Sequence, residues 1–187
     1  MKKSLVHRAV VVGGVLAGIA VLVYLMLLLF VYVMMVTSPE DRSQCRTEIK
    51  AIENALRVYR SDYGKFPEYG SCRLQTTGTG QTDADLTDTL RGYNTNANPR
   101  GFVYLDANEK SLGTNVVTAS GGQGEAGAMY DPWGNLYQIA VAYQFNRTVA
   151  HADGENLSNR TVAVWSWGPN KTAHPDPHDK THIRSWK

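Results

Sequence analysis

The sequence has little of what marks several common classes of protein. Its 187 residues include only two cysteines, and 19 basic against 17 acidic residues leave a formal net charge of only +2. A charge so close to balance gives no sign of a surface for nucleic acid. The chain also lacks the G-x-S-x-G, H-E-x-x-H and C-x-x-C motifs. Composition and length together indicate one domain of ordinary size, and they exclude a nucleic-acid-binding protein, a multi-span transporter and an ordinary cytosolic enzyme.

Charge is missing entirely from residues 9–36, a run of 28 residues that also lacks Asn, Gln, Ser, Thr and Pro. About 20 helical residues cross a bilayer core of about 30 Å, so this run predicts a transmembrane helix. A cleaved signal peptide is the alternative, but its apolar run would be shorter and would be followed by a small-x-small site, which residues 33–36 at the end of this run do not offer. Basic residues precede the run, so residues 1–8 are predicted to be a cytoplasmic basic stub and residues 37–187 to lie outside.

Gly14 and Gly18 form a G-x-x-x-G pair within this run. Small residues at that spacing let two membrane helices approach closely, which would favour a homo-oligomer. Glycine is also simply common in membrane helices, and both interpretations stay open.

A long amphipathic helix is predicted over residues 37–66. Ser38, Pro39 and Asp41 form a typical helix start, while Gly64 and Pro67 mark its end. Apolar residues between them recur at spacings of three and four, which predicts a single face that packs on a core. These residues are Cys45, Ile49, Ile52, Leu56, Tyr59 and Tyr63.

Residues 67–130 are polar and rich in threonine, glycine and asparagine, and we expect variable loops there. A short helix is predicted near residues 83–90 and a short strand over residues 102–105. From residue 131 the pattern changes to that of a small antiparallel sheet and a C-terminal loop. Asp131–Asn135 predicts a turn, residues 137–145 alternate as a strand does, and residues 161–167 form the return strand. The predicted fold class is therefore α+β, with a long helix packed on a small sheet.

Two features are candidate sites. Cys45 and Cys72 both lie in the outer part, where a disulfide is permitted, although two free buried thiols fit the sequence as well. The second feature is the loop over residues 167–182, where amide, carboxylate and carbonyl oxygens would suit Ca²⁺ through Trp167, Asn170, Asp176 and Asp179. Its histidines, His174, His178 and His182, would instead suit a transition metal, and a solvated loop without metal is the third interpretation.

Several segments together resemble the major pseudopilin of type II secretion systems, within the type IV pilin-like superfamily. The similarity covers about residues 45–187, with an inserted middle. It rests on the segments Ile52–Leu56 with Tyr59, Asp62–Pro67, Asn98–Gly101, Asp131–Tyr137, Ser166–Asn170 and Ile183–Trp186.

This resemblance implies a pilin-like fold, in which a single N-terminal membrane helix continues into the amphipathic helix. It also implies a structural, non-enzymatic subunit of a type II secretion or pilus-like assembly in the bacterial inner membrane. The C-terminal domain would lie in the periplasm or at the cell surface. Its partners would be other pseudopilin or pilus-like subunits and inner-membrane assembly proteins, and Ca²⁺ would be its one expected cofactor.

Two parts of the family pattern differ here. No Gly-Phe peptidase junction follows residues 1–8, so we expect that stub to be retained. The family also carries a glutamate within the apolar run that serves filament assembly, and here no glutamate precedes Glu40. In the calcium loop, Thr181 and His182 stand where the family has an acidic pair. The alternative function is therefore a single-span, membrane-anchored interaction module with a pilin-like domain that does not polymerise.

Overall fold

The computed structural model describes residues 18–31, 39–70, 72–74, 78–142, 148–152, 155–170 and 181–186. The chain divides into two units, residues 1–38 and 39–187. In the first unit, residues 18–31 form helix α1 with exposed side chains. Among the described residues, no helix combines the length and apolarity that crossing a bilayer requires. The rest of residues 9–36, including Gly14, lies outside the described residues, so the membrane span stays a prediction.

Helix α2, Pro39–Tyr63, lies within the predicted range of residues 37–66 but ends three residues before that range does, and residues 37 and 38 lie outside the described residues. Its end is set by Gly64, whose φ of 71° suits glycine and whose N–H donates to the Arg60 carbonyl at 2.8 Å. The predicted apolar face is confirmed. Cys45, Ile49, Ile52, Leu56 and Tyr59 are at most 1% exposed and belong to the main core.

The main sheet is antiparallel and has four strands in the order β3-β4-β7-β8. These strands are β3 (Thr79–Gln81), β4 (Gln138–Val141), β7 (Val162–Ser166) and β8 (Ile183–Arg184). β4 pairs with the return strand β7 as predicted, with Ile139 opposite Val164. The sequence did not predict β3, which lies within the expected loop region. α2 packs on β7 and β8, and the observed class is α+β.

Both faces of β4 are buried. Tyr137, Ile139 and Val141 face the main core, as the alternation predicts, but Ala140 and Ala142 belong to a second apolar cluster with Val149 and Trp165. An unpredicted hairpin, β5 (Thr148–Ala152) and β6 (Glu155–Ser158), contributes to that cluster. A further two-stranded sheet joins β1 (Glu68–Tyr69) to β2 (Cys72–Arg73).

The middle of the chain contains the predicted short helix, α3, at Ala84–Leu90, with the Asp83 carboxylate accepting from the Leu86 N–H. The prediction of a strand at residues 102–105 was wrong, because the backbone of these residues is irregular. The N–H groups of Tyr104 and Leu105 both donate to the Leu90 carbonyl at the end of α3, and only Leu105 of this segment is buried. Two 3₁₀ turns, Glu109–Ser111 and Gly113–Asn115, follow.

Candidate functional site

Two of the segments that carry the family resemblance meet at one buried carboxylate, that of Asp131. Its Oδ1 accepts from the backbone N–H groups of Trp133 and Asn135 at 2.9 and 2.8 Å. Its Oδ2 accepts from Ser166 Oγ at 2.5 Å and from Asn135 Nδ2 at 3.2 Å. The predicted turn is therefore confirmed, since Gly134 N–H also donates to the Asp131 carbonyl and Gly134 has a φ of 85°. The side chain of Asp131 closes this turn and ties it to the end of β7.

The same network continues into the turn after β7. Ser166 Oγ accepts from the Gly168 N–H at 2.8 Å, and Asn135 Nδ2 lies 3.3 Å from the Gly168 carbonyl oxygen. Gly168 has a φ of 66°, and a Cβ there would overlap the carbonyl oxygen of Thr181. Only glycine therefore allows the turn to approach the segment that leads into β8.

A second buried carboxylate, Glu48, joins α2 to this region. Its Oε1 accepts from Ser111 Oγ at 2.5 Å and from Gln44 Nε2 at 3.0 Å. The Tyr137 hydroxyl donates to its Oε2. Glu48 is 6% exposed, so these three donors replace the water that its carboxylate loses on folding. We call Glu48, Ser111, Tyr137, Asp131 and Ser166 the buried polar network.

Burial is the largest influence on the pKa values of Asp131 and Tyr137 in this network and of Cys45 beside it. It raises the pKa of Asp131 above its ordinary value of 3.8, although hydrogen bonds from Ser166, Asn135 and Trp133 act in the opposite direction. Burial first, with the nearby charges of Asp131 and Glu48, raises the pKa of the Cys45 thiol to about 12, although hydrogen bonds with Ser166 and Tyr137 act in the opposite direction. The pKa of Tyr137 is raised well above 10 for the same reasons, burial first. Cys45 is therefore a neutral thiol, which is a poor nucleophile.

Cys45 should resist alkylation in the folded protein. A thiol with a pKa of about 12 has only about 10⁻⁴ of its population as thiolate at pH 8, and Cys45 is 0% exposed. Peptide mass spectrometry after iodoacetamide treatment should find Cys45 unmodified in buffer and fully modified in urea. The matched control is Ser43→Cys, an exposed position two residues earlier on α2, which should react at once. Equal rates at the two positions would contradict the burial of Cys45.

Protonation of Asp131 should make stability depend on pH in a defined direction. Because its pKa is raised in the folded state, the stabilisation that protonation gives is fully present below the ordinary value of 3.8 and is lost as pH rises through the folded pKa. Between pH 3.8 and the folded pKa of Asp131, the unfolding free energy of the wild type should therefore fall relative to that of Asp131→Asn. At higher pH, the difference between the two unfolding free energies should stay constant. Urea titrations from about pH 3 to about pH 8 measure this difference. A difference that grows with pH would contradict the direction of the shift.

Three members of the buried polar network, Asp131, Ser166 and Tyr137, are inaccessible to a substrate. Asp131 is 2% exposed, and Ser166 and Tyr137 are 0% exposed. Each polar atom of the two carboxylates already accepts hydrogen bonds from neighbouring elements. The arrangement fixes α2, the turn and the sheet relative to one another, which is a structural role.

The predicted calcium loop lies mostly outside the described residues. Trp167 is half-buried, and Asn170 ends a 3₁₀ turn, Gly168–Asn170, although its side chain is outside the description. Asp176, Asp179, His174 and His178 also lie outside it. Within the described ranges, no group of three or more His, Cys, Asp or Glu residues is placed to hold a metal ion. Ca²⁺ binding and transition-metal binding both stay predictions.

At the two positions where the resemblance implies an acidic pair, the described residues offer no carboxylate. His182 is 6% exposed, and its Nδ1 lies 3.4 Å from an Arg184 guanidinium nitrogen. An imidazole beside a guanidinium is a poor ligand for a hard cation. Thr181 and His182 therefore do not match the acidic pair that binds calcium in the family.

Of the two cysteines in the candidate disulfide, only Cys45 has a described side chain. Cys45 is a free, buried thiol, whereas the side chain of Cys72 lies outside the described residues.

Sequence reasoning missed Glu48 and Ser111. One signal for Glu48 was present, because position 48 lies between Cys45 and Ile52 on the side of α2 that the apolar spacing assigns to the core. Ser111 lies in a polar loop segment, and no local pattern marks it.

Comparisons of this chain with protein-family profiles, with curated proteins and with solved structures found no match.

Proposed function

We propose that this chain is a non-catalytic, pseudopilin-like subunit of a type II secretion or pilus-like assembly. One N-terminal helix anchors it in the bacterial inner membrane. Residues 37–187 form a pilin-like domain in the periplasm or at the cell surface. Its partners are other subunits of the same kind and the inner-membrane proteins that assemble them.

The observation that carries the proposal is the contact between the segments that resemble the family. Asp131 of one segment accepts a hydrogen bond from Ser166 of another, at 2.5 Å, and both side chains are buried. A third segment ends α2 at Tyr63, with Gly64 and Phe66 following. Residues that are separated in sequence thus act together in tying the turn at residues 131–135 to the end of β7, the strand on which α2 packs.

The proposed anchor rests on the apolar run of residues 9–36. Lys2, Lys3 and Arg8 precede that run, and no acidic residue accompanies them. This asymmetry favours a cytoplasmic N-terminus. α1 exposes large apolar side chains such as Leu22, Met26 and Phe30 along its length. Such a surface suits a lipid environment or a second apolar helix.

One observation favours the alternative function, a membrane-anchored interaction module that does not polymerise. The family's glutamate in the apolar run serves filament assembly, and this sequence has no acidic residue before Glu40. Both candidates share the anchor and the outer domain, and they differ in whether copies assemble into filaments.

Fractionation tests the anchor and the placement of the domain. Full-length chain should stay in the membrane pellet after washing with alkaline carbonate. Protease added to intact spheroplasts should digest residues 37–187 and leave a fragment that contains the N-terminal helix. Recovery of the whole chain in the soluble fraction, or protection of the domain until the membrane is opened, would overturn the proposal.

A further inference from the structure

Three basic side chains of α2 form a row, which we call the cationic ridge: Arg42, Arg46 and Lys50. Their spacing of four residues places them on one flank of the helix. Arg46 and Lys50 are exposed and Arg42 is half-exposed. Within the described part of the chain, none of the three forms an ion pair. Like charges at this spacing repel each other and destabilise a helix, so a carboxylate partner from outside would relieve the ridge.

A pocket with the opposite charge lies beside another flank of the same helix, and we call it the acidic pocket. It has a volume of about 360 Å³ and is lined by three carboxylates, those of Glu40, Glu48 and Asp106, with no Lys or Arg among its lining residues. Glu40 and Asp106 are exposed, and neither forms an ion pair within the described residues. Thr47 and Asn108 add further polar groups to the lining. The pocket is therefore suited to a long cationic side chain.

The cationic ridge and the acidic pocket cannot satisfy each other within one copy. At 100° per residue, the pocket carboxylates of α2 lie well away from Arg46 around the helix axis, Glu40 by about 120° and Glu48 by about 160°. The buried face of α2 occupies the remaining third of its circumference, so the two surfaces point into solvent in different directions. A surface and its complement at different places on one chain form a heterologous contact, which repeats from copy to copy.

We propose that the cationic ridge of one copy docks in the acidic pocket of a second copy. This inference rests on the proposed function, because it names the contact through which the outer domains of an assembly would associate. Arg46 and Lys50 approach Glu40 and Asp106 of the next copy, which leaves its own ridge free for a third. Since the charges on both sides are exposed, the contact weakens as salt rises.

Charge reversal with rescue tests this contact in the full chain in detergent micelles. Sedimentation velocity at low salt should show self-association of the wild type, weakened at about 0.5 M salt. Arg46→Glu and Asp106→Arg should each lower the association constant about tenfold or more. A chain that carries both changes keeps complementary surfaces and should recover to within about threefold of the wild type. Lys65→Glu makes the same charge change at an exposed residue outside both surfaces and should have no effect.

The other outcomes separate the inference from the function on which it rests. Wild-type association that neither reversal changes would overturn the inference and leave the proposed function standing. No association of the wild type at any salt concentration would overturn the inference and count against assembly as well. A loss with Arg46→Glu that Asp106→Arg does not rescue would assign the ridge to a different anionic surface of the second copy and would also overturn the inference. Glu40→Lys provides a second pocket variant if Asp106→Arg does not fold.

Discussion

Replacing Asp131 with alanine should lower the free energy of unfolding by about 4 kcal/mol, the largest loss expected from any change in the buried polar network. The change removes the acceptor for the N–H groups of Trp133 and Asn135 and for the hydroxyl of Ser166. Each buried donor left without a partner costs about 1–3 kcal/mol. Urea unfolding of a fragment spanning residues 37–187, followed by tryptophan fluorescence, measures the loss.

Two variants control this experiment. Asp131→Asn keeps an oxygen for the two backbone N–H groups and should cost only about 1–2 kcal/mol. Asp106→Ala removes an exposed carboxylate that has no ion pair among the described residues, and it should change stability by less than about 0.5 kcal/mol. If Asp131→Ala costs no more than Asp106→Ala, the network does not hold the turn to the sheet.

Shortening Leu56 to alanine should cost about 3 kcal/mol, within the usual span of about 2–5 kcal/mol for a buried leucine. Leu56 is 0% exposed and lies in the main core, which α2 shares with β4 and β7. The loss combines the transfer free energy of the removed carbons with the cavity that they leave. The same urea titration measures it.

Val58→Ala is the matched control on the same helix. Val58 is 50% exposed, so removing its methyl groups should cost less than about 0.5 kcal/mol. Equal losses at positions 56 and 58 would mean that α2 does not pack on the sheet through its predicted face.

The sequence was sufficient to predict the long helix and the central pair of strands. α2 could be predicted because helix-start residues, a strict apolar spacing and Gly64 all agree within one segment. β4 follows from the alternation of residues 137–145, and β7 was predicted as the strand that returns to pair with it. Local pattern determines these elements, and tertiary contacts only reinforce it.

What the sequence did not predict depends on contacts between distant segments. β3 has only three residues and joins the sheet by pairing with β4, nearly sixty positions later. The second buried face of β4 depends on the β5–β6 hairpin, which no strong alternation marks. The acidic residue Glu48 can be buried because Ser111 and Tyr137, from other elements, donate hydrogen bonds to its carboxylate. Such partners become visible only when the chain is folded.

Electron microscopy and mass spectrometry of material sheared from cells that produce the full chain test the central claim most directly. We expect filaments that contain this chain, with a pilin-like domain formed by residues 37–187 on their surface. Sheared material without the chain, while the membrane fraction holds all of it as a folded protein, would contradict assembly and favour the non-polymerising module.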